Sequence, residues 1–144
     1  MKKTVAVLVT TFVASMTLAG CGGGDDPYCE AVEKNKASLD SFGQKRSNAA
    51  YTKYAAVLGS IAKTAPATVK KDWTALSKAT TDIVDAQNTA GIALEDMSDE
   101  KALAAISADK REQLNVAYKA FNATTKQRDS VVKNVLQECD IKLK

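Results

Sequence analysis

Three cysteines are the most chemically pointed residues in this 144-residue chain: Cys21, Cys29 and Cys139. Thiols can take a lipid, form a disulfide, ligate a metal or act as nucleophiles. Two of these uses lack their supporting residues. There is no histidine, which removes the commonest general base and the commonest metal ligand. No Cys-x-x-Cys pair occurs either, so the sequence offers no metal set. Serine–lysine chemistry is the next candidate. Ser-x-x-Lys occurs at Ser60/Lys63, Ser98/Lys101 and Ser107/Lys110, without the accompanying motifs of the serine–lysine acyl enzymes. The latter two serines read better as helix N-caps. Acid pairs at helical spacing, Asp82/Asp85 and Asp96/Glu100, could do acid–base work if one member were buried, but they read as solvated helix faces. No nucleophile elbow, Walker loop, dinucleotide-binding glycine pattern or HExxH stretch is present. The expectation is a non-enzyme with no cofactor.

The start of the chain reads as an address. Lys2 and Lys3 precede a short apolar run from Val5 to Leu18, too short and too threonine-rich to span a bilayer stably. Leu18-Ala19-Gly20-Cys21 then resembles the lipobox of bacterial lipoproteins. That resemblance implies cleavage before Cys21 and its acylation, with diacylglycerol and palmitate-type chains holding the protein on the extracytoplasmic face of the cell membrane. The expected organisation is residues 1–20 as signal peptide, 21–26 as lipidated cysteine and glycine-rich tether, and 27–144 as one helical domain. From Cys21 onward there are 18 basic and 17 acidic residues, so the +3 of the whole chain comes partly from the leader. That balance gives no footprint for nucleic acid.

The elements that position these residues are all helical. Asp25 and Asp26 before Pro27 make a helix start. A stripe of Tyr28, Val32, Leu39 and Phe42 predicts a first helix ending near Gly43. Tyr51, Tyr54, Ala55, Leu58, Ile61 and Ala62 predict a second from Ser47 to Lys63, stopped before Pro66. Starting at Pro66, a third carries Val69, Trp73, Leu76, Thr80, Ile83, Gln87 and Ala90, with two polar residues on its inner face, and is loosened at Gly91. A short helix capped by Ser98 spans Asp99 to Ile106. A long last helix capped by Ser107 runs from Ala108 to Cys139, with Leu114, Ala117, Tyr118, Phe121, Thr125, Arg128, Val132, Val135 and Cys139 inward. The expected fold is all-α, an antiparallel up-and-down bundle of four main helices closed by one disulfide.

That topology brings the start of the first helix beside the end of the last. With Cys21 taken by lipid outside the cytoplasm, Cys29 and Cys139 are the expected disulfide. The same bridge sets a register. If Cys29 faces Cys139, Asp40 falls opposite Arg128, the one charge on the inner stripe of the last helix. The expectation is a partly buried Asp40–Arg128 ion pair, with Trp73 as a stacking surface for the arginine.

Several of these residues also resemble a group of small actinobacterial lipoproteins. Tyr28-Cys29-Glu30-Ala31-Val32-Glu33, Ala62-Lys63-Thr64-Ala65-Pro66, Asp72-Trp73 and Glu138-Cys139 are similar to that group's Tyr/Phe-Cys start, Ala-Pro followed by Asp/Glu-Trp, and closing cysteine. The resemblance implies a secreted, lipid-anchored helical domain and no particular activity. Two function classes remain. One is an interaction or structural module on the membrane's outer face. The other is a small-ligand binder with a pocket between helices, for which Tyr28, Tyr51, Tyr54, Tyr118, Phe121 and Trp73 are lining candidates. The Lys63, Lys70, Lys71 and Lys78 group could meet anionic lipid or wall polymer. The partner, protein or small molecule, stays open.

Overall fold

The computed structural model describes residues 26–144, and these are helical without a strand. The six α-helices are α1 (Pro27–Asp40), α2 (Asn48–Thr64), α3 (Ala67–Ala90), α4 (Glu100–Ala105), α5 (Ala108–Asn122) and α6 (Thr125–Cys139), with a 3₁₀ turn at Leu94–Asp96.

Local chemistry sets the boundaries. The Asp26 carboxylate accepts the Tyr28 N–H at 2.8 Å, and Pro27 takes the first helical position, where its missing N–H costs nothing. α1 stops at Asp40, slightly earlier than its apolar stripe suggests, and the chain turns on through Gly43 at φ +82°. Ser47 caps α2 by accepting the Ala50 N–H. Pro66 caps α3 from outside rather than opening it, its carbonyl accepting the Val69 and Lys70 N–H groups. α3 ends at Gly91, whose φ of +74° is the left-handed conformation glycine adopts without strain. For α4 the cap is Asp99, accepting the Lys101 and Ala102 N–H groups, and not Ser98. A carboxylate one position closer to the first turn outcompetes the serine hydroxyl.

The long last helix is divided. At Ala123 and Thr124 the backbone keeps near-helical angles but the chain turns. The Phe121 carbonyl there accepts the Thr124 N–H, the Thr124 hydroxyl at 2.6 Å and the Arg128 guanidinium at 2.9 Å. Side chains inserted into the hydrogen-bond ladder are a recognised cause of kinks. The kink changes the register. Leu114, Ala117, Phe121, Thr124, Val131 and Val135 are buried, whereas Thr125 and Val132, expected inward, are exposed.

α3 is the hub, packing against α2, α5 and α6, while α1 packs against α2 and α6. Its residues reach every part of the core. Val69, Trp73 and Leu76 join Tyr28, Val32, Ile61 and Val135; Ala79, Ile83 and Val84 join Tyr51, Ala117 and Phe121; Ala90 joins Ile92, Ile106 and Leu114. Against α2 the approach is close. Ser77 Oγ donates to the Ala55 carbonyl at 2.9 Å, and a Cβ on Gly59 would sit 3.1 Å from that same oxygen.

Candidate functional site

Two clusters gather the chemically distinctive side chains. The first surrounds the disulfide. Cys29 and Cys139 are bonded, with Cα atoms 5.3 Å apart and 110 residues between them in sequence. Beside them, Trp73 Nε1 donates to Tyr28 Oη at 3.1 Å, and that hydroxyl donates to Asn134 Oδ1 at 2.9 Å. Both rings are buried and meet edge to face at 6.5 Å. Burial raises the Tyr28 pKa, and the Trp73 N–H partly offsets this by favouring the phenolate. Next to Trp73, Asp72 Oδ2 accepts the Ser130 hydroxyl at 2.6 Å. Asp72 and Trp73 therefore tie the first turns of α3 to α6 and α1 respectively. Tyr28, Cys29, Asp72, Trp73 and Cys139, which carry the sequence resemblance, form one structural knot. Asn134 and Ser130 were missed by the sequence reading. Ser130 lies one residue before Val131, which only the kinked register turns inward, and Asn134 one residue before Val135, whose inward placement the periodicity does predict.

Phe42, Tyr51, Tyr54 and Phe121 make the second cluster. Phe42 stacks on Tyr54 with centroids 3.7 Å apart, and packs against Tyr51 and Phe121 at 5.3 and 5.8 Å. A cleft of about 500 Å³ opens beside it, lined by Phe42, Tyr51 and Tyr54 together with Ser38, Lys45 and Lys53. Burial pushes the Tyr54 pKa up to about 12, with nearby Arg128 pulling the other way. Tyr118 is also raised by burial, and its hydroxyl accepts the Gln87 Nε2–H at 2.7 Å. Gln87 is fully buried, and its Oε1 has no partner.

Among the described residues the expected Asp40–Arg128 ion pair does not form. The Asp40 carboxylate pairs with Lys36 one turn earlier and accepts the Lys144 backbone N–H at 2.8 Å. Those two contacts hold its pKa below the usual carboxylate value. The physical reason lies at Asp140, which adopts the left-handed conformation after α6 and turns the last residues back. Ile141 and Leu143 pack on the core around the disulfide, and the tail reaches Asp40 in place of the arginine. Arg128 instead serves the kink: Nε donates to Thr124 Oγ1 at 3.2 Å, and the guanidinium lies 4.6 Å from the Phe121 ring centroid, not over Trp73.

The other candidates are placed as follows. Cys21 lies outside the described residues, as do the expected signal peptide, residues 1–20, and all of the expected tether, residues 21–26, except Asp26. No hydrogen bond joins serine to lysine in any described Ser-x-x-Lys pair; Ser107 sits at the α5 cap without a side-chain bond. Asp82 pairs with Lys78 at 2.7 Å, while Asp85, Asp96 and Glu100 are exposed. No group of three or more metal-capable side chains occurs among the described residues. A shallow groove of about 430 Å³ between α2 and α3 is lined by Lys63, Lys70, Lys78, Gly59, Thr74 and Ser77. Among the described residues no helix is long and apolar enough to cross a membrane. Comparison with protein-family models, curated proteins and solved structures gives no match to this chain.

Proposed function

We propose that this protein is a lipid-anchored interaction or structural module of the extracytoplasmic membrane face, without catalysis, in the group of small actinobacterial lipoproteins that its motifs resemble. The observation that carries the reading is the Cys29–Cys139 bridge. It takes two of the three cysteines, and leaves Cys21, at the end of Leu-Ala-Gly-Cys, as the one for acylation. Disulfides persist outside the cytoplasm, where a lipobox would deliver the chain. The helix contacts also suit an up-and-down antiparallel bundle: α1 beside α2, α2 beside α3, α3 beside α5 and α6, and α6 back beside α1, with kinked α5–α6 as the fourth main helix.

The test is fractionation. Wild-type protein should remain with membranes and carry a diacylated Cys21 by mass spectrometry. Cys21→Ala should move to the soluble or unprocessed pool. Unchanged fractionation with an unmodified wild-type Cys21 would overturn the reading.

A second reading, a small-ligand binder, is favoured by one observation, the cleft beside Phe42, Tyr51 and Tyr54 with Lys45 and Lys53 on its lining. Native mass spectrometry of protein extracted mildly from membranes should then show a bound small molecule that Tyr54→Ala removes.

A further inference from the structure

Charge along this chain is strongly segregated. From Ser41 to Lys71 there are six basic residues, Lys45, Arg46, Lys53, Lys63, Lys70 and Lys71, and no acid. The remainder from Cys21 onward holds twelve basic and seventeen acidic residues. A nearly neutral molecule is thus divided into a basic segment and an acidic remainder. In the structure that segment is the turn before α2, α2 itself and the start of α3, and all six cations are exposed. Of the acids near it, Asp85 is exposed in the groove it shares with Thr52, Ala56, Ser60 and Lys63, and three others are engaged elsewhere. Asp72 accepts from Ser130, Asp82 pairs with Lys78, and Glu95 accepts the Asn48 N–H at the start of α2, at the opposite end of that helix from Lys63. Between Lys53 and Lys63 the outward face presents Thr52, Ala56 and Ser60, short side chains that let a flat surface approach.

The position of this face relative to the tether identifies its occupant. Tyr28 at the start of α1 meets Trp73, one turn beyond Lys70. Lys63, at the end of α2, and Lys70 and Lys71, at the start of α3, therefore lie at the end of the molecule where the described chain begins. Asp26 is only five residue steps from Cys21. At about 3.5 Å per extended residue, those steps span at most about 17 Å. A lipid on Cys21 would hold these lysines within reach of the headgroups.

We infer that the face formed by α2, the turn before it and the start of α3, with Lys63, Lys70 and Lys71 leading and Lys53, Lys45 and Arg46 following, lies against an anionic phospholipid surface. The inference rests on the lipid-anchor reading for proximity, and on the exposed cations for attraction. Each lysine near such a surface adds to binding and is screened by salt.

The test uses the full purified protein on two kinds of vesicle, phosphatidylcholine alone and phosphatidylcholine with phosphatidylglycerol. Flotation is followed by mass-spectrometric mapping of lysine acetylation. The expected result is flotation with both, slower acetylation of Lys63, Lys70 and Lys71 on the anionic vesicles only, and no change at Lys101, Lys110 and Lys126. Half-molar salt should abolish the difference. Replacing the three leading lysines by glutamine should lower the electrostatic part of partitioning by about a hundredfold. Flotation with both vesicles and equal lysine reactivity overturns the docking face and leaves the lipid anchor standing. Flotation with anionic vesicles alone, with those lysines protected, supports the face and overturns the anchor. Flotation with neither overturns both.

Discussion

The disulfide cluster and the aromatic cluster solve the same problem in different ways. Around Cys29–Cys139 three hydrogen bonds pair side chains of different helices: the Tyr28 hydroxyl accepts from Trp73 and donates to Asn134, while Ser130 donates to Asp72. Three helices are joined there by one covalent bond and three directed hydrogen bonds. Around Phe42, Tyr51, Tyr54 and Phe121 the packing is aromatic, a cleft stands open, a helix is kinked, and the Gln87 Oε1 nearby is orphaned. A buried polar group without a partner costs stability, whereas a fully satisfied network specifies one arrangement. The first cluster is therefore built to fix geometry, and the second retains room to change it.

Removing the bridge should have the largest effect. Cys29→Ala with Cys139→Ala should lose about 4–5 kcal/mol by the loop-entropy account for a loop of this length. Thermal melting with and without reductant measures it. Retained stability would mean that hydrogen bonds alone hold this region. Tyr28→Phe should cost about 1–3 kcal/mol, because the Trp73 N–H is left buried without an acceptor. Chemical denaturation checks this, and a neutral result would remove the contrast between the clusters. For the aromatic region, Tyr54 supplies a pH test. Its folded pKa of about 12 lies above the unfolded value near 10, so its contribution is complete below pH 10 and is lost as pH rises toward 12. Wild type should lose up to about 2–3 kcal/mol across that window, and Tyr54→Phe should lose less. Arg128→Met should cost about 1–2 kcal/mol, since the Phe121 carbonyl loses one of its donors and the ring loses its cation. A double-mutant cycle with Asp40→Ala should show coupling near zero; substantial coupling would restore the ion pair that the structure replaces.

Much of the architecture was legible because it depends on near neighbours in sequence. Asp26-Pro27, Ser47, Pro66 and Gly91 act within a few residues of themselves, so the boundaries of α1, α2 and α3 follow from capping and backbone chemistry. The Cys29–Cys139 pairing was legible from cysteine use together with helix count, although its partners are 110 residues apart. The inward placement of Thr80 and Gln87 followed from helical periodicity alone.

Tertiary structure decided what periodicity alone does not encode. The 108–139 stretch carries apolar residues compatible with two registers, and the choice between Val131 and Val132 was made by Thr124 and Arg128 acting on the Phe121 carbonyl. That local break turned Ser130 and Asn134 toward Asp72 and Tyr28. The fate of Asp40 depended on a left-handed residue, Asp140, which sent the tail back along α1. Asparagine and glycine are the usual signals of such a turn, and an aspartate there is a weaker one. Helix starts and stops are thus written in single residues, whereas side-chain partners across the core depend on rotations of a whole helix that a few hydrogen bonds can set.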